Sequence, residues 1–156
     1  MVAIFDIDGT LCALSEERER LLPTKEWLAA CDVVAENWNE YHRLAKYEQA
    51  NEPVKRLLQQ YAKEHATIII STGRPECYRE MTEEWLARHG IKYKYLFMRS
   101  NGDLRHSHEI KRKVVSWCAF AQNRIAVEDR QQDIDMYLAE GFKVIRVKEG
   151  QIDESK

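Results

Sequence analysis

The chain has 156 residues, 44% hydrophobic and 32% charged, with a formal net charge of −2. This is the length of one ordinary domain with a substantial core, and the composition is that of a soluble globular protein. No run approaches the ~18 apolar residues of a membrane span, and the slightly acidic balance argues against an indiscriminate nucleic-acid binder.

Cys12, Cys31, Cys77 and Cys118 are scattered, without C-x-x-C spacing. Neither a zinc site nor a redox motif is predicted, and the thiols read as reduced, in a cytoplasmic compartment.

The first predicted element is a strand over Val2–Phe5, too short and too quickly followed by acids to be a signal peptide. It runs into Asp6-Ile7-Asp8-Gly9-Thr10. Two carboxylates one residue apart, where a buried strand meets solvent, repel each other and favour a divalent cation. A calcium loop of the EF-hand type is ruled out, because a strand enters and Leu11 stands where that loop needs Gly. Asp6 is the candidate nucleophile, forming an aspartyl-phosphate. Asp8 is the candidate acid for the leaving oxygen and base for water.

Leu14–Ala50 follows, longer than a simple crossover. It carries Trp27, Leu28, Val33, Val34, Trp38, Tyr41 and Leu44, broken by Pro23. It reads as two or three helices forming a lid over residues 14–50, with a long helical crossover as the alternative. A helix over Pro53–Lys63 leads to a strand over Thr67–Ile70.

Ser71-Thr72-Gly73-Arg74 comes next. Thr72 offers a hydroxyl, Gly73 an amide and Arg74 a cation for an anion at a helix N-terminus. Thr72 could equally cap the helix predicted over Glu76–His89, with Pro75 in its first turn and Gly90 beyond its end.

A strand over Tyr95–Met98 precedes a helix over His106–Ala121. From Arg88 to Lys113 there are eight Lys or Arg against Asp103 and Glu109, a local charge of +6. This is either solvated surface or a basic lip for an anionic substrate. Lys111 is the candidate fixed positive charge among the acids, and His106 and His108 read as surface.

A strand over Ile125–Val127 ends in Glu128-Asp129-Arg130. These acids either cap the next helix or face Asp6 and Asp8 across a cation. Magnesium suits the second case, with few carboxylates, water and phosphate oxygens as ligands. A helix over Gln131–Glu140, a strand over Val144–Val147 and a frayed tail over 151–156 complete the chain.

Strands alternating with helices predict an α/β domain over residues 1–150, with a parallel sheet covered on both faces. The chemically interesting residues all follow strand ends, where open parallel sheets place their sites. There is no Walker-type loop and too little Gly for a dinucleotide loop. Trp27, Trp38, Trp85 and Trp117 read as core or lid packing.

Asp6-x-Asp8-Gly9-Thr10, Thr72-Gly73-Arg74, Lys111 and Glu128-Asp129, in this order, resemble the haloacid dehalogenase (HAD) phosphohydrolase superfamily, over Val2 to about Val147. The resemblance implies a Rossmann-like sheet, Mg2+ and the aspartyl-phosphate route. It maps the metal ligands to the Asp6 carboxylate, the Asp8 carbonyl and the Asp129 carboxylate, with Glu128 behind them. Met98-Arg99, Gly102-Asp103-x-Arg105, Lys111, Trp117 and Glu128-Asp129-Arg130 further resemble the phosphatase domain of bacteriophage polynucleotide kinase/phosphatase. That likeness implies removal of 3′-phosphates from DNA or RNA ends, and an arginine soon after the nucleophile. Arg18 is the nearest candidate and Arg20 the next. A mononucleotide or small-metabolite phosphatase is the alternative. A phosphate-binding module is disfavoured, because nucleophile, acid, hydroxyl, lysine and metal acid are all present.

Overall fold

The computed structural model describes residues 1–22 and 31–153, the side chains of 31–36 excepted. Six strands form one sheet in the order β3-β2-β1-β4-β5-β6. They are β1 Val2–Phe5, β2 Thr67–Pro75, β3 Tyr95–Arg99, β4 Arg124–Glu128, β5 Lys143–Lys148 and β6 Gln151–Asp153. The first five run parallel, and β6 returns antiparallel to β5.

Side chains alternate across the sheet. Ala3 and Phe5 face a cluster with Val54, Leu58, Trp85 and Leu86, from α3 (Glu52–Lys63) and α4 (Arg79–Arg88). Ile4 and Ala126 face the other cluster, with Val114, Met136 and Tyr137 from α5 (Ser107–Trp117) and α6 (Gln131–Ala139). Burial on both faces explains why these strands read as unbroken apolar runs. The α/β class and the doubly covered sheet are those predicted.

Several boundaries differ. β2 continues through Ser71-Thr72-Gly73-Arg74 to Pro75 instead of stopping at Ile70, with an irregular register against β3 between Ser71 and Pro75. Pro75 therefore ends a strand, where its missing N–H is tolerated. The predicted helix over 76–89 is a single 3-10 turn at Glu76–Tyr78 followed by α4. α5 ends at Trp117, four residues early. Gln151–Asp153, expected in a frayed tail, pair with Arg146–Lys148.

The inserted segment contains α1 (Glu16–Glu19), α2 (Cys31–Leu44) and a 3-10 turn at Ala45–Tyr47. Pro23, Trp27 and Leu28 lie outside the described residues. Backbone bridges Asp8–Cys12 and Cys12–Ala50 fasten both ends of the segment beside the Asp6 loop. Of the predicted core tryptophans, Trp85 is fully buried and donates from Nε1 to the Glu48 carbonyl at 2.9 Å. Trp38 stacks on His42 of α2. Trp117 is exposed at the sheet margin, against Tyr95 and Phe97.

Candidate active site

The sheet order brings the predicted motifs together. β1 lies between β2 and β4, with Phe5 opposite Ile70 on one side and Val127 on the other. One residue further along each strand come Asp6, Ser71 and Glu128. Strand order reverses here, β2 on one side of β1 and β4 on the other, which opens a crevice at the carboxyl edge.

Lys111 reaches this edge from α5. Its buried ammonium donates to Asp6 Oδ1 at 2.9 Å, Glu128 Oε2 at 2.6 Å and Asp133 Oδ2 at 2.8 Å. All three ammonium hydrogens thus have carboxylate acceptors. Asp133, on α6, also accepts from Ser107 Oγ at 2.9 Å. The second Glu128 oxygen takes the Asp129 and Arg130 amides at 3.1 and 3.4 Å, so both oxygens of that carboxylate have donors.

One ammonium cannot neutralise this many acids. Burial, then the Glu128 charge, pushes Asp6 up to about 7 despite Lys111. Burial, then Asp6, pushes Asp129 up to about 6. Burial alone would lower Lys111, but Asp6, Glu128 and Asp133 hold it well above its ordinary range.

The Asp6, Glu128 and Asp129 carboxylates offer oxygens within 4.8 Å of one another. Among the described residues, Asp6 Oδ2 and Asp129 Oδ2 have no hydrogen-bond donor, and Asp129 Oδ1 has a long contact from Thr10 Oγ1 at 3.3 Å. Hard oxygen donors with uncompensated negative charge fit a magnesium ion. Gly9 makes the approach possible. Its φ is +86°, and a Cβ there would fall 2.3 Å from Asp129 Oδ2.

Asp8 has a different environment. Arg74 grips it with a fork, Nε to Oδ2 at 2.9 Å and Nη2 to Oδ1 at 2.8 Å. Arg18 adds Nη2 to Oδ1 at 2.7 Å. Burial would raise the Asp8 pKa, but the two guanidiniums hold it far below the usual carboxylate range. Arg18 itself lies buried, its guanidinium 4.1 Å above the Tyr41 ring and its Nε on the Tyr41 carbonyl at 2.9 Å. Arg20 is exposed and pairs with Glu16. Of the two candidate arginines, Arg18 is the one in contact with Asp8.

Arg74 and Arg18 were expected on the substrate, and both lie on Asp8. Thr72 caps no helix, since β2 continues past it; its hydroxyl accepts the Arg74 amide at 3.2 Å. Gly73 is the next residue on that strand. Within the basic stretch, Lys111 is held by the acids, Arg105 grips Asp103 and Arg112 meets Glu140. His106 and His108 stack on each other.

Asp133 and Tyr41 escaped the sequence reading. Asp133 stands in the first turn of α6, just after Glu128-Asp129, and an acid at that place was a usable signal. Tyr41 contributes a ring and a carbonyl across a large sequence gap, which no local pattern encodes.

A family model for the polynucleotide kinase PNKP phosphatase domain matches residues 1–152. Among solved structures, a chain of the Pnkp1/Rnl/Hen1 RNA repair complex is 26% identical with a TM-score of 0.70, over 94% of this chain and 42% of that one. The protein thus spans less than half of that relative's length. A Clostridium difficile protein described as a phosphatase is 20% identical with a TM-score of 0.67, covering 93% and 83% of the two chains. A haloacid dehalogenase-like hydrolase from Streptococcus pneumoniae is 13% identical with a TM-score of 0.62, covering 94% and 84%. At those identities the last two show a shared fold. No curated protein sequence matches. The chain therefore belongs to the PNKP phosphatase-domain family and is a phosphatase of the HAD fold.

Proposed function

We propose that this protein is a magnesium-dependent polynucleotide 3′-phosphatase working through an aspartyl-phosphate on Asp6. The supporting observation is the Asp6 carboxylate, held by Lys111 through one oxygen while the other has no hydrogen-bond donor among the described residues, in a cluster with Glu128 and Asp129 whose oxygens lie within 4.8 Å of one another. A nucleophile needs that fixed orientation with one oxygen free.

Asp6 attacks phosphorus as the ester bond breaks, and the leaving oxygen takes a proton from Asp8. Asp8 then removes a proton from water, which attacks the phosphorus and frees Asp6 with release of inorganic phosphate. With both guanidiniums on it, Asp8 has no proton to give. An incoming phosphate dianion offers Arg18 and Arg74 a competing partner, and losing even one of them moves Asp8 back toward a proton donor. Thr72 and Gly73 lie on the strand beside Asp6, where a hydroxyl and an amide can receive phosphate oxygens. Asp6, Asp129 and the Asp8 carbonyl would hold the ion, with Glu128 keeping Lys111 and the Asp129 backbone in place. Bound magnesium supplies charge neutralisation and polarises the phosphoryl group.

The 3′-end assignment rests on family membership. The described thiols Cys12, Cys77 and Cys118 are free, consistent with a reducing, cytoplasmic compartment. A mononucleotide substrate is the second reading, favoured by Arg18 and Tyr41, which bring the inserted segment directly over Asp8. The test is steady-state hydrolysis of a 3′-phosphorylated oligonucleotide and of free mononucleotides, with magnesium or with chelator, by wild type and Asp6→Asn. The proposal expects magnesium-dependent turnover, higher kcat/KM on the oligonucleotide, and loss of turnover in a folded Asp6→Asn protein. Turnover surviving that substitution refutes the nucleophile, and preference for mononucleotides refutes the substrate.

A further inference from the structure

Arg99 closes β3 at the mouth of the crevice. Its Nε donates to the Gly73 carbonyl at 2.8 Å, and its Nη1 to the carbonyls of Asp103 and Arg105 at 2.8 and 2.6 Å. Among the described residues no carboxylate pairs with it, and its Nη2 donates to none of them. That Nη2 lies beside Gly73, 3.5 Å from where a Cβ would be, and Ser107 Oγ is 3.7 Å from the same point.

Arg130 is the second cation here. It is exposed, immediately follows Asp129 and caps α6, and among the described residues its guanidinium has no ion pair. Burial lowers Arg99 below its ordinary range, and the Arg130 charge adds to that lowering. Neighbouring surface arginines are unlike this pair, since Arg105 and Arg112 each have a carboxylate partner. Two guanidiniums without ion pairs among the described residues, one with an unused pair of N–H donors, are suited to an anion.

We propose that Arg99 and Arg130 bind the phosphodiester adjacent to the terminal phosphomonoester, so that this site selects a nucleic-acid strand over a lone nucleotide. This rests on the phosphatase reading above. Arg99 orients the diester through Nη2 while its other nitrogens fix the 99–105 turn. Arg130 supplies charge from the opposite lip.

The experiment compares kcat/KM on a 3′-phosphorylated oligonucleotide with kcat/KM on the nucleoside 3′-monophosphate of the same terminal residue. Wild type, Arg130→Gln, Arg99→Lys and Arg112→Gln are assayed over a range of salt, with glycerol phosphate as a reference ester. Loss of one charged phosphate contact is expected to lower the oligonucleotide-to-mononucleotide ratio about tenfold in Arg130→Gln. The salt slope on the oligonucleotide should become shallower by about 0.7. Arg99→Lys keeps the charge but loses Nη2 together with part of the grip on the Gly73, Asp103 and Arg105 carbonyls; with the fold checked by thermal melt, it should lower the ratio in the same direction. Arg112→Gln makes the same charge change away from the mouth and should leave the ratio within about twofold, as surface charge changes are weakly felt at a distance. An unchanged ratio in Arg130→Gln, an equal fall in Arg112→Gln, or a wild type without oligonucleotide preference overturns the subsite while leaving the phosphatase intact. No turnover of any ester, glycerol phosphate included, overturns the phosphatase reading itself.

Discussion

Magnesium should stabilise this protein more at pH 8 than at pH 6, by an amount fixed by two carboxylates. Asp6 is pushed up to about 7 and Asp129 to about 6 in the folded protein, both from an ordinary 3.8. The folded chain therefore binds more protons than the unfolded chain between about pH 4 and 7, and the ion-free protein loses this contribution as pH rises through that window. A cation requires both groups ionised. At pH 6 about a tenth of Asp6 and half of Asp129 are in that form, whereas at pH 8 nearly all of both are. Apparent affinity should rise roughly 20-fold, or about 2 kcal/mol. For a chain of this size that is about 4–8 °C of extra thermal shift. His42, which burial lowers to about 4, has the opposite pH dependence, but it contributes with and without metal and cancels. The assay is thermal unfolding with and without magnesium, above Kd at both pH values, on wild type and Asp129→Asn. Equal magnesium shifts at pH 6 and pH 8, or a full shift in Asp129→Asn, would refute the reasoning.

Three further outcomes follow from individual contacts. Gly9→Ala places a Cβ against Asp129 and strains a positive φ; it should cost about 1–3 kcal/mol and abolish the magnesium shift, read by the same melts. Asp133→Asn removes one of three carboxylates holding Lys111. It should lower stability by about 1–3 kcal/mol and reduce kcat more than it raises KM, with Ser107→Ala milder; an unaltered kcat would show that Asp133 is structural only. Arg74→Lys replaces the two-bond fork on Asp8 with a point charge. A loss of about 1–3 kcal/mol by chemical denaturation is expected, and a neutral result would mean that Arg18 alone holds Asp8.

The strands and the acids at their tips were legible because each is a local pattern: an apolar run, then a polar motif. Five runs located β1 to β5, and sheet order placed Asp6, Lys111 and Glu128 in contact. Partnership was less legible. Nothing local says that Arg74 folds back onto Asp8, because that contact joins residues 66 positions apart. β2 outran its apolar run because Arg74 and Thr72 are buried by pairing, and polar residues read as a strand's end. Gln151–Asp153 are too short and polar to announce a strand; β5 recruits them after a turn with two positive-φ residues, Glu149 and Gly150. Trp117 looked like core by spacing, but its part of α5 overhangs the sheet margin.

β6 has an effect out of proportion to its three residues. Five parallel strands alone would leave β5 as a bare margin able to zip onto another chain. The short reversed strand blocks that side, and Asn51 Nδ2, gripping the Gly150 carbonyl at 2.9 Å, ties the hairpin to the start of α3. Removal of residues 151–156 would therefore uncover a template for self-association and loosen the helix behind β1, so shortened versions of this protein should be judged by their tendency to clump as well as by their turnover.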